Sequence, residues 1–385
     1  MNILIAPDSF KDCLPAAGVA RFLSEGIRRV YPSAAIVSIP LSDGGEGFVE
    51  TMLAAMGGRG ISVPVFDPLM RITGRTASAG YGILPDGTAI IEMAAASGIE
   101  LLTRDERNPL TTSTYGTGQL MLDAMERGCR KLIVGIGGSA TNDGGTGMAQ
   151  ALGYRFLDKT GAELPPGGGN LHKLSRIDGS AVSPLLGQTT VWAACDVTNP
   201  LCGKHGASVV YGPQKGASPE AVLKLDANLA YLAELLQKQL GANVLHLPGA
   251  GAAGGLGAGL VAFCKGQLQS GFDLVKEQTG LEAAVQQANI VVTGEGKLDA
   301  QTSRGKVPWG VAQLAQKHGK PVLAFAGSLG NGYHQLYANG FTSVFALPQG
   351  PATLSECLAN APKLLADTAE QVFRVLKIEP KAAKF

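Results

Sequence analysis

Six acidic residues, Asp8, Asp43, Asp143, Asp196, Glu295 and Asp299, each stand just after an apolar run or in the loop that such a run enters. In open α/β sheets that is the edge where ligands bind. A lone aspartate there is usually a cap or a turn residue; six of them form a constellation. Converging carboxylates can hold Mg²⁺, which takes one or two carboxylates together with phosphate oxygens, or can accept a proton from an attacking hydroxyl. The cations are few: Lys11 follows the first apolar run, and Lys297, Arg304 and Lys306 crowd the segment TGEGKLDAQTSRGK. Positive charge placed there could balance the equatorial oxygens of a transferring phosphoryl group. The plainer alternative for each is a solvated surface lysine.

Glycine supplies the third ingredient. In KLIVGIGGSATNDGGTG, Lys131 to Gly147, an apolar run feeds a loop of glycines and small polar side chains whose only charge is Asp143, and a helix-like segment from Met148 to Leu152 follows. Strand, exposed backbone and helix N-terminus in that order suit an anion such as phosphate, although a tight turn needing positive φ would read the same way. A second glycine-rich stretch runs from Pro248 to Gly257. The 53 glycines are about twice the ordinary share, and they are clustered, which points to functional loops. Neither GxxxxGK[ST] nor a GxGxxG behind a first strand occurs, so a phosphate site here is a non-standard one.

The elements that must position these residues follow from periodicity. Asn2 to Ala6 reads as a buried parallel strand, Val19 to Val30 as a helix, and Ala35 to Ile39 as a second strand. From about Phe66 the rhythm changes: Arg75 to Ile83 and Thr88 to Met93 flank Pro85-Asp86-Gly87, a hairpin signal. A helix over Tyr115 to Arg127, a strand over Thr189 to Ala194 and a helix starting at Ser218-Pro219-Glu220 come next. The opening rhythm returns with strands at Asn289 to Val292, Pro321 to Ala326 and Thr342 to Ala346, a helix over Val307 to Gln316 and a last helix from Ser355 to Leu376. The expected fold is therefore α/β: a discontinuous doubly wound parallel-sheet domain, residues 1–65 and 287–385, with a mixed α/β domain inserted over residues 66–286 and the site in the cleft between them.

Composition excludes several classes. A net charge of +1 with no basic tract argues against nucleic acid or an anionic membrane surface. Cysteines 13, 129, 195, 202, 264 and 357 form no CxxC pair, which suits reduced thiols of a cytoplasmic protein. The five histidines show no zinc spacing. The N-terminal apolar run is broken by Pro7, Asp8 and Lys11, unlike a secretory segment. The uncharged stretch from Gln239 to Cys264, rich in glycine and carrying His246 and Pro248, reads as a loop and helix. A monomer or homodimer is expected.

Longer motifs carry a resemblance. APDSFKDCL at 6–14, PLSDGGEG at 40–47, EMAAASGIELL at 92–102, IGGSATNDGGTGMAQALG at 136–153, ACDVTNPLCG at 194–203, YGPQKGA at 211–217, PGAGAAGGLGAGL at 248–260 and TGEGKLDAQTSRGKVP at 293–308 resemble the glycerate kinases of bacterial glyoxylate and sugar-acid catabolism. The resemblance covers essentially the whole chain. It implies phosphorylation of D-glycerate by ATP with Mg²⁺, at the 2-hydroxyl, and a discontinuous flavodoxin-like domain carrying an inserted one. Cys13 stands where many relatives have serine, and Lys297 where arginine is common.

On that basis Gly137, Gly138, Ser139, Gly144, Gly145, Gly254 and Gly255 are expected to cradle ATP phosphates, and Asp43, Asp196 and Glu295 to hold Mg²⁺. Asp8, Ser9, Lys11, Asn142 and Arg304 would bind substrate. Asp196 or Asp143 would orient or deprotonate the hydroxyl, and Lys11 and Lys297 would bind the substrate carboxylate or the transferring group. The alternatives are a kinase forming 3-phosphoglycerate or acting on another short hydroxy acid, and a sugar-acid-binding regulator without turnover. The regulator would call for a helix-turn-helix or a basic patch, and neither is visible.

Overall fold

A computed structural model of the chain describes residues 1–11, 13–42, 44, 45, 47–71, 79–300, 302 and 306–378. Two of the residues singled out above, Asp43 and Arg304, lie outside the described residues, as does part of the segment from Arg75 expected to form a strand.

The chain divides into two compact units, Met1–Asp43 with Phe272–Phe385, and Gly44–Gly271. In the first, five strands form one parallel sheet in the order Ser343–Ala346, Val322–Leu329, Ile290–Leu298, Asn2–Ile5, Ala35–Ser38. Taken along the unit's own chain, that is the 2-1-3-4-5 order of flavodoxin-like sheets. The order reverses between Asn2–Ile5 and Ile290–Leu298, and Ile3 pairs with Ile290 there. Ile3, Leu4, Ile5, Val291 and Val292 are all buried, as parallel strands covered on both faces require. Helix Ala16–Val30 turns Val19, Leu23 and Ile27 inward and packs on helix Leu354–Leu376. A capping box starts the latter helix: Glu356 N–H donates to Thr353 Oγ1 at 3.3 Å, and Thr353 N–H to Glu356 Oε2 at 2.8 Å.

Strand Ile290–Leu298 runs six residues beyond the expected end at Val292. Gly294, Glu295 and Gly296 look like a loop in sequence, yet this stretch stays paired with Val322–Leu329. Gly294 permits it, since a Cβ there would overlap the Phe325 carbonyl oxygen. Glu295 and Lys297 consequently project from a strand, not from a mobile loop.

The second unit is built on a mixed sheet in the order Gln267–Gln269, Thr190–Ala194, Lys131–Gly135, Thr88–Glu92, Ala79–Ile83, Arg59–Val63. The first four are parallel and the last two join antiparallel. The unit limits at 43/44 and 271/272 differ from the expected 65/66 and 286/287 for two physical reasons. Strand Arg59–Val63, hidden in sequence by Gly57, Gly58 and Gly60, pairs with Ala79–Ile83 and draws residues 44–65 into the second unit. Helix Leu281–Gln287 packs on helix Val307–Lys317 of the first.

Helix Ala252–Cys264 opens with a left-handed turn: Ala253, Gly254 and Gly255 have φ of 54°, 66° and 89°. A Cβ on Gly254 would overlap the Thr141 carbonyl oxygen, and one on Gly255 would lie 2.9 Å from Gly144 Cα. Gly254→Ala combines that overlap with a left-handed conformation and should cost about 2–4 kcal/mol. The measurement is amide hydrogen exchange of strand Lys131–Gly135; wild-type protection in the variant would refute the packing role.

Candidate active site

In the Gly44–Gly271 unit, the four parallel strands deliver their following loops to one sheet edge. Register Glu92↔Gly135↔Ala194 puts the segments beginning at Met93, Ile136 and Cys195 side by side. Backbone bonds tie them: Met93 N–H donates to Gly135 O and Ile99 N–H to Gly138 O, both at 2.9 Å, and Ile136 N–H to Ala194 O at 3.3 Å.

Asp143 is fully buried within this edge. Its Oδ2 accepts from Thr114 N–H and Thr114 Oγ1 at 2.8 Å each and from Gly147 N–H at 3.2 Å; its Oδ1 accepts from Gly145 N–H at 3.0 Å. Burial pushes its acidity toward higher pKa, and these donors pull the other way. Both oxygens of Asp143, read from the sequence as a proton acceptor, are engaged by loop backbone amides and by Thr114.

The seven expected phosphate-binding residues separate in the same way. The N–H groups of Gly137, Gly138 and Ser139 have no hydrogen-bond partner among the described residues. Gly144 N–H, by contrast, donates to Gly254 O at 3.0 Å, and Gly145 N–H to Asp143. Gly254 and Gly255 are buried against Thr141 and Gly144. The latter four serve close backbone packing, and the first three keep backbone amides that no described residue engages. Asn142 is buried, its Oδ1 accepting from Ser208 Oγ at 3.2 Å while its Nδ2 has no partner among the described residues.

Lys215, not singled out in the sequence, lies in this cluster with 2% exposure. Its Nζ donates to Ser139 Oγ at 2.6 Å and to Thr141 O at 2.7 Å. Burial lowers its pKa from 10.5 to about 7, against the opposing pull of the Asp143 charge. Its neighbours Pro213, Gln214 and Gly216 in YGPQKGA are exposed, so the local sequence carries no signal that this lysine is buried. Asp196 follows strand Thr190–Ala194, and its Oδ1 accepts from Gly271 N–H at 3.0 Å.

In the other unit, the carboxyl edge at the order reversal carries Asp8, Ser9 and Lys11 after Asn2–Ile5, and Glu295 and Lys297 near the end of Ile290–Leu298. Asp8 Oδ1 accepts from Ser9 N–H at 2.6 Å. Glu295 is 7% exposed; Thr302 Oγ1 donates to its Oε1 at 2.7 Å, and Lys306 Nζ to its Oε2 at 3.1 Å. Burial raises its pKa, with the Lys306 charge opposing. Lys297 pairs with Asp299 at 3.2 Å and keeps a largely exposed side chain.

Among the described residues no group of three or more acidic, histidine or cysteine side chains forms a metal cage. Mg²⁺ commonly needs only one or two carboxylates beside phosphate oxygens. Both oxygens of Glu295 are engaged by Thr302 and Lys306, which leaves that carboxylate little donor capacity for Mg²⁺.

The chain matches the model of the glycerate kinase family over residues 3–377. It is 48% identical over 372 residues to a glycerate kinase of Halalkalibacterium halodurans, covering 96% of this chain and 97% of that one. It is 47% identical over 362 residues to a glycerate 2-kinase of Escherichia coli K12, covering 94% of each. The crystal structure of a glycerate kinase 2 from Salmonella typhimurium LT2 superposes with a TM-score of 0.88 at 46% identity, over 98% of both chains.

Removing the Asp143 carboxylate strands four buried donors. Asp143→Ala should therefore lower unfolding stability by about 3–5 kcal/mol, as loss of one member of a buried charge network does. Equilibrium urea denaturation followed by a probe in the second unit measures it; a change under about 1 kcal/mol would assign the carboxylate no structural task.

Proposed function

The chain belongs to the glycerate kinase family, and we propose that it transfers the γ-phosphoryl group of ATP to the 2-hydroxyl of D-glycerate. The observation that carries this reading is the likeness, over nearly the full length of both chains, to a glycerate 2-kinase. The protein is a kinase, and kinases of this family use ATP. Neither a 3-phosphoglycerate-forming enzyme nor a regulator without turnover is favoured.

Phosphoryl transfer asks a protein chiefly for positioning and charge stabilisation. The unpartnered amides of Gly137, Gly138 and Ser139 receive phosphate oxygens, a task for which a rigid backbone needs no reorganisation during the reaction. Asn142 offers its Nδ2 to an acceptor oxygen of the substrate. Asp196, braced through Oδ1 by Gly271 N–H, orients the attacking 2-hydroxyl and accepts its proton. Mg²⁺, when bound, would neutralise phosphate charge, with Asp196 the carboxylate suited to hold it. Lys11 and Lys297 bind the glycerate carboxylate or the transferring group, Asp8 and Ser9 line the same strand end, and Arg304 and Asp43 keep the substrate and metal roles read from the sequence. Glu295, bonded to Thr302 and Lys306, fixes the lysine in place. No helix among the described residues is long and apolar enough to cross a membrane. A cytoplasmic monomer or homodimer acting on small molecules, with no nucleic-acid partner, completes the reading.

The decisive assay is ADP release dependent on D-glycerate, with the product identified by phosphorus NMR. 2-Phosphoglycerate is expected; 3-phosphoglycerate or glycerate-independent hydrolysis would overturn the assignment. In the same assay, Asp196→Asn should lower kcat by about 100-fold or more with little change in KM for glycerate. Wild-type turnover in that variant would remove Asp196 from the chemistry.

A further inference from the structure

We propose that Lys215 is a positioning residue for phosphoryl transfer: its buried side chain clamps Ser139 and Thr141, and so fixes the Gly137–Ser139 amides in the arrangement that receives the nucleotide's phosphates. The inference rests on the kinase reading above and assigns a task to a residue outside its list of roles.

Geometry carries it. Two short bonds, 2.6 Å to Ser139 Oγ and 2.7 Å to Thr141 O, join one nitrogen to both sides of Ala140. Ser139 is the last of the three residues whose amides have no partner among the described residues, so the clamp acts directly on the end of that donor row. Ala140 N–H donates to Ser97 O at 2.9 Å, which anchors the opposite side of the same turn. Thr141 Oγ1 and Asn142 Nδ2, also buried, have no partner among the described residues, so the turn keeps polar capacity that its own packing does not use.

Energetics argues against a merely structural lysine. Neither partner of Lys215 is a carboxylate, and a buried ammonium held only by neutral oxygens is costly. The charged group that acts on it is Asp143, which is itself occupied by four donors. Burial and that carboxylate act on the lysine's proton in opposite directions, burial more strongly. A methionine would fill the same space at lower cost, so the charge is explained by what it faces: a row of amides awaiting polyanionic phosphate.

The test uses the full chain with ATP as the probe, without an acceptor for binding and with D-glycerate for turnover. Lys215→Met should lower kcat/KM for ATP by about 100-fold, the scale on which loss of one transition-state donor acts, and change KM for glycerate by less than about threefold. In wild type, kcat/KM for ATP should fall as pH rises through a titration near the lysine's value of about 7. That titration should be absent from Lys215→Met and retained in Ser139→Ala. Should Lys215→Met not fold, Ser139→Ala decides: calorimetric ATP affinity weakened by about fivefold or more supports the clamp, and wild-type affinity overturns it. Wild-type kinetics and an unchanged pH profile in Lys215→Met also overturn it. Turnover of a hydroxy acid other than D-glycerate would defeat the substrate reading and leave the ATP measurements to judge Lys215 independently.

Discussion

The close approach of two backbones, Thr141–Gly145 and Gly254–Gly259, is the constraint on which the Gly44–Gly271 unit's functional edge depends. Gly144 N–H bonds Gly254 O at 3.0 Å, and a Cβ on Gly145 would lie 3.0 Å from Gly259 Cα. Side chains would hold these segments apart. Reaching that separation requires a left-handed turn that includes Ala253, a conformation costing an L-residue about 1–2 kcal/mol. Such strain persists only where surrounding structure over-determines it. Here the surroundings extend to a second loop: Gly251 N–H donates to Asn199 O at 3.0 Å, and a Cβ on Gly249 would meet Cys195 Sγ at 3.1 Å. One strained segment thus shapes both the Ile136–Gly147 loop and the loop that carries Asp196.

The two units place charge differently at their carboxyl edges. In the parallel five-stranded unit the charges are side chains already in pairs, Lys306 with Glu295 and Lys297 with Asp299. In the other unit the edge is mainly backbone, and its buried carboxylate faces inward on the loop. A side-chain cation can swing and repair; a row of amides cannot, and its precision must come from packing. That difference explains why glycine clusters in the second unit.

Much of the fold was legible because its signals are local. Apolar runs located the parallel strands, Ser218-Pro219 marked a helix start that the structure caps through Ala221 N–H, and Pro85-Asp86-Gly87 joined antiparallel strands. The failures were non-local. Strand Arg59–Val63 escaped because its glycines erase alternation, and pairing with Ala79–Ile83 stabilises it nonetheless. The extension of Ile290–Leu298 through Gly294 depends on Phe325, thirty-one positions away in the chain. At the site, composition revealed which loops matter, but not which of their groups are consumed internally. Asp143 and Gly144 look like ligand residues until their partners at Thr114 and Gly254 are known.

Lys215 completes this asymmetry. A carboxylate inside a loop is tolerable when backbone amides surround it, because each donor returns part of the hydration lost on burial. Asp143 has three such amides and a hydroxyl. Lys215 has two neutral acceptors, so its charge is the less compensated of the two. The field it leaves at the Gly137–Ser139 turn has the sign that favours an anion, and the low-dielectric surroundings screen it weakly. A phosphate arriving at those amides would in turn stabilise the protonated lysine. On the proposed clamp, nucleotide binding and proton uptake would be linked through that one buried nitrogen.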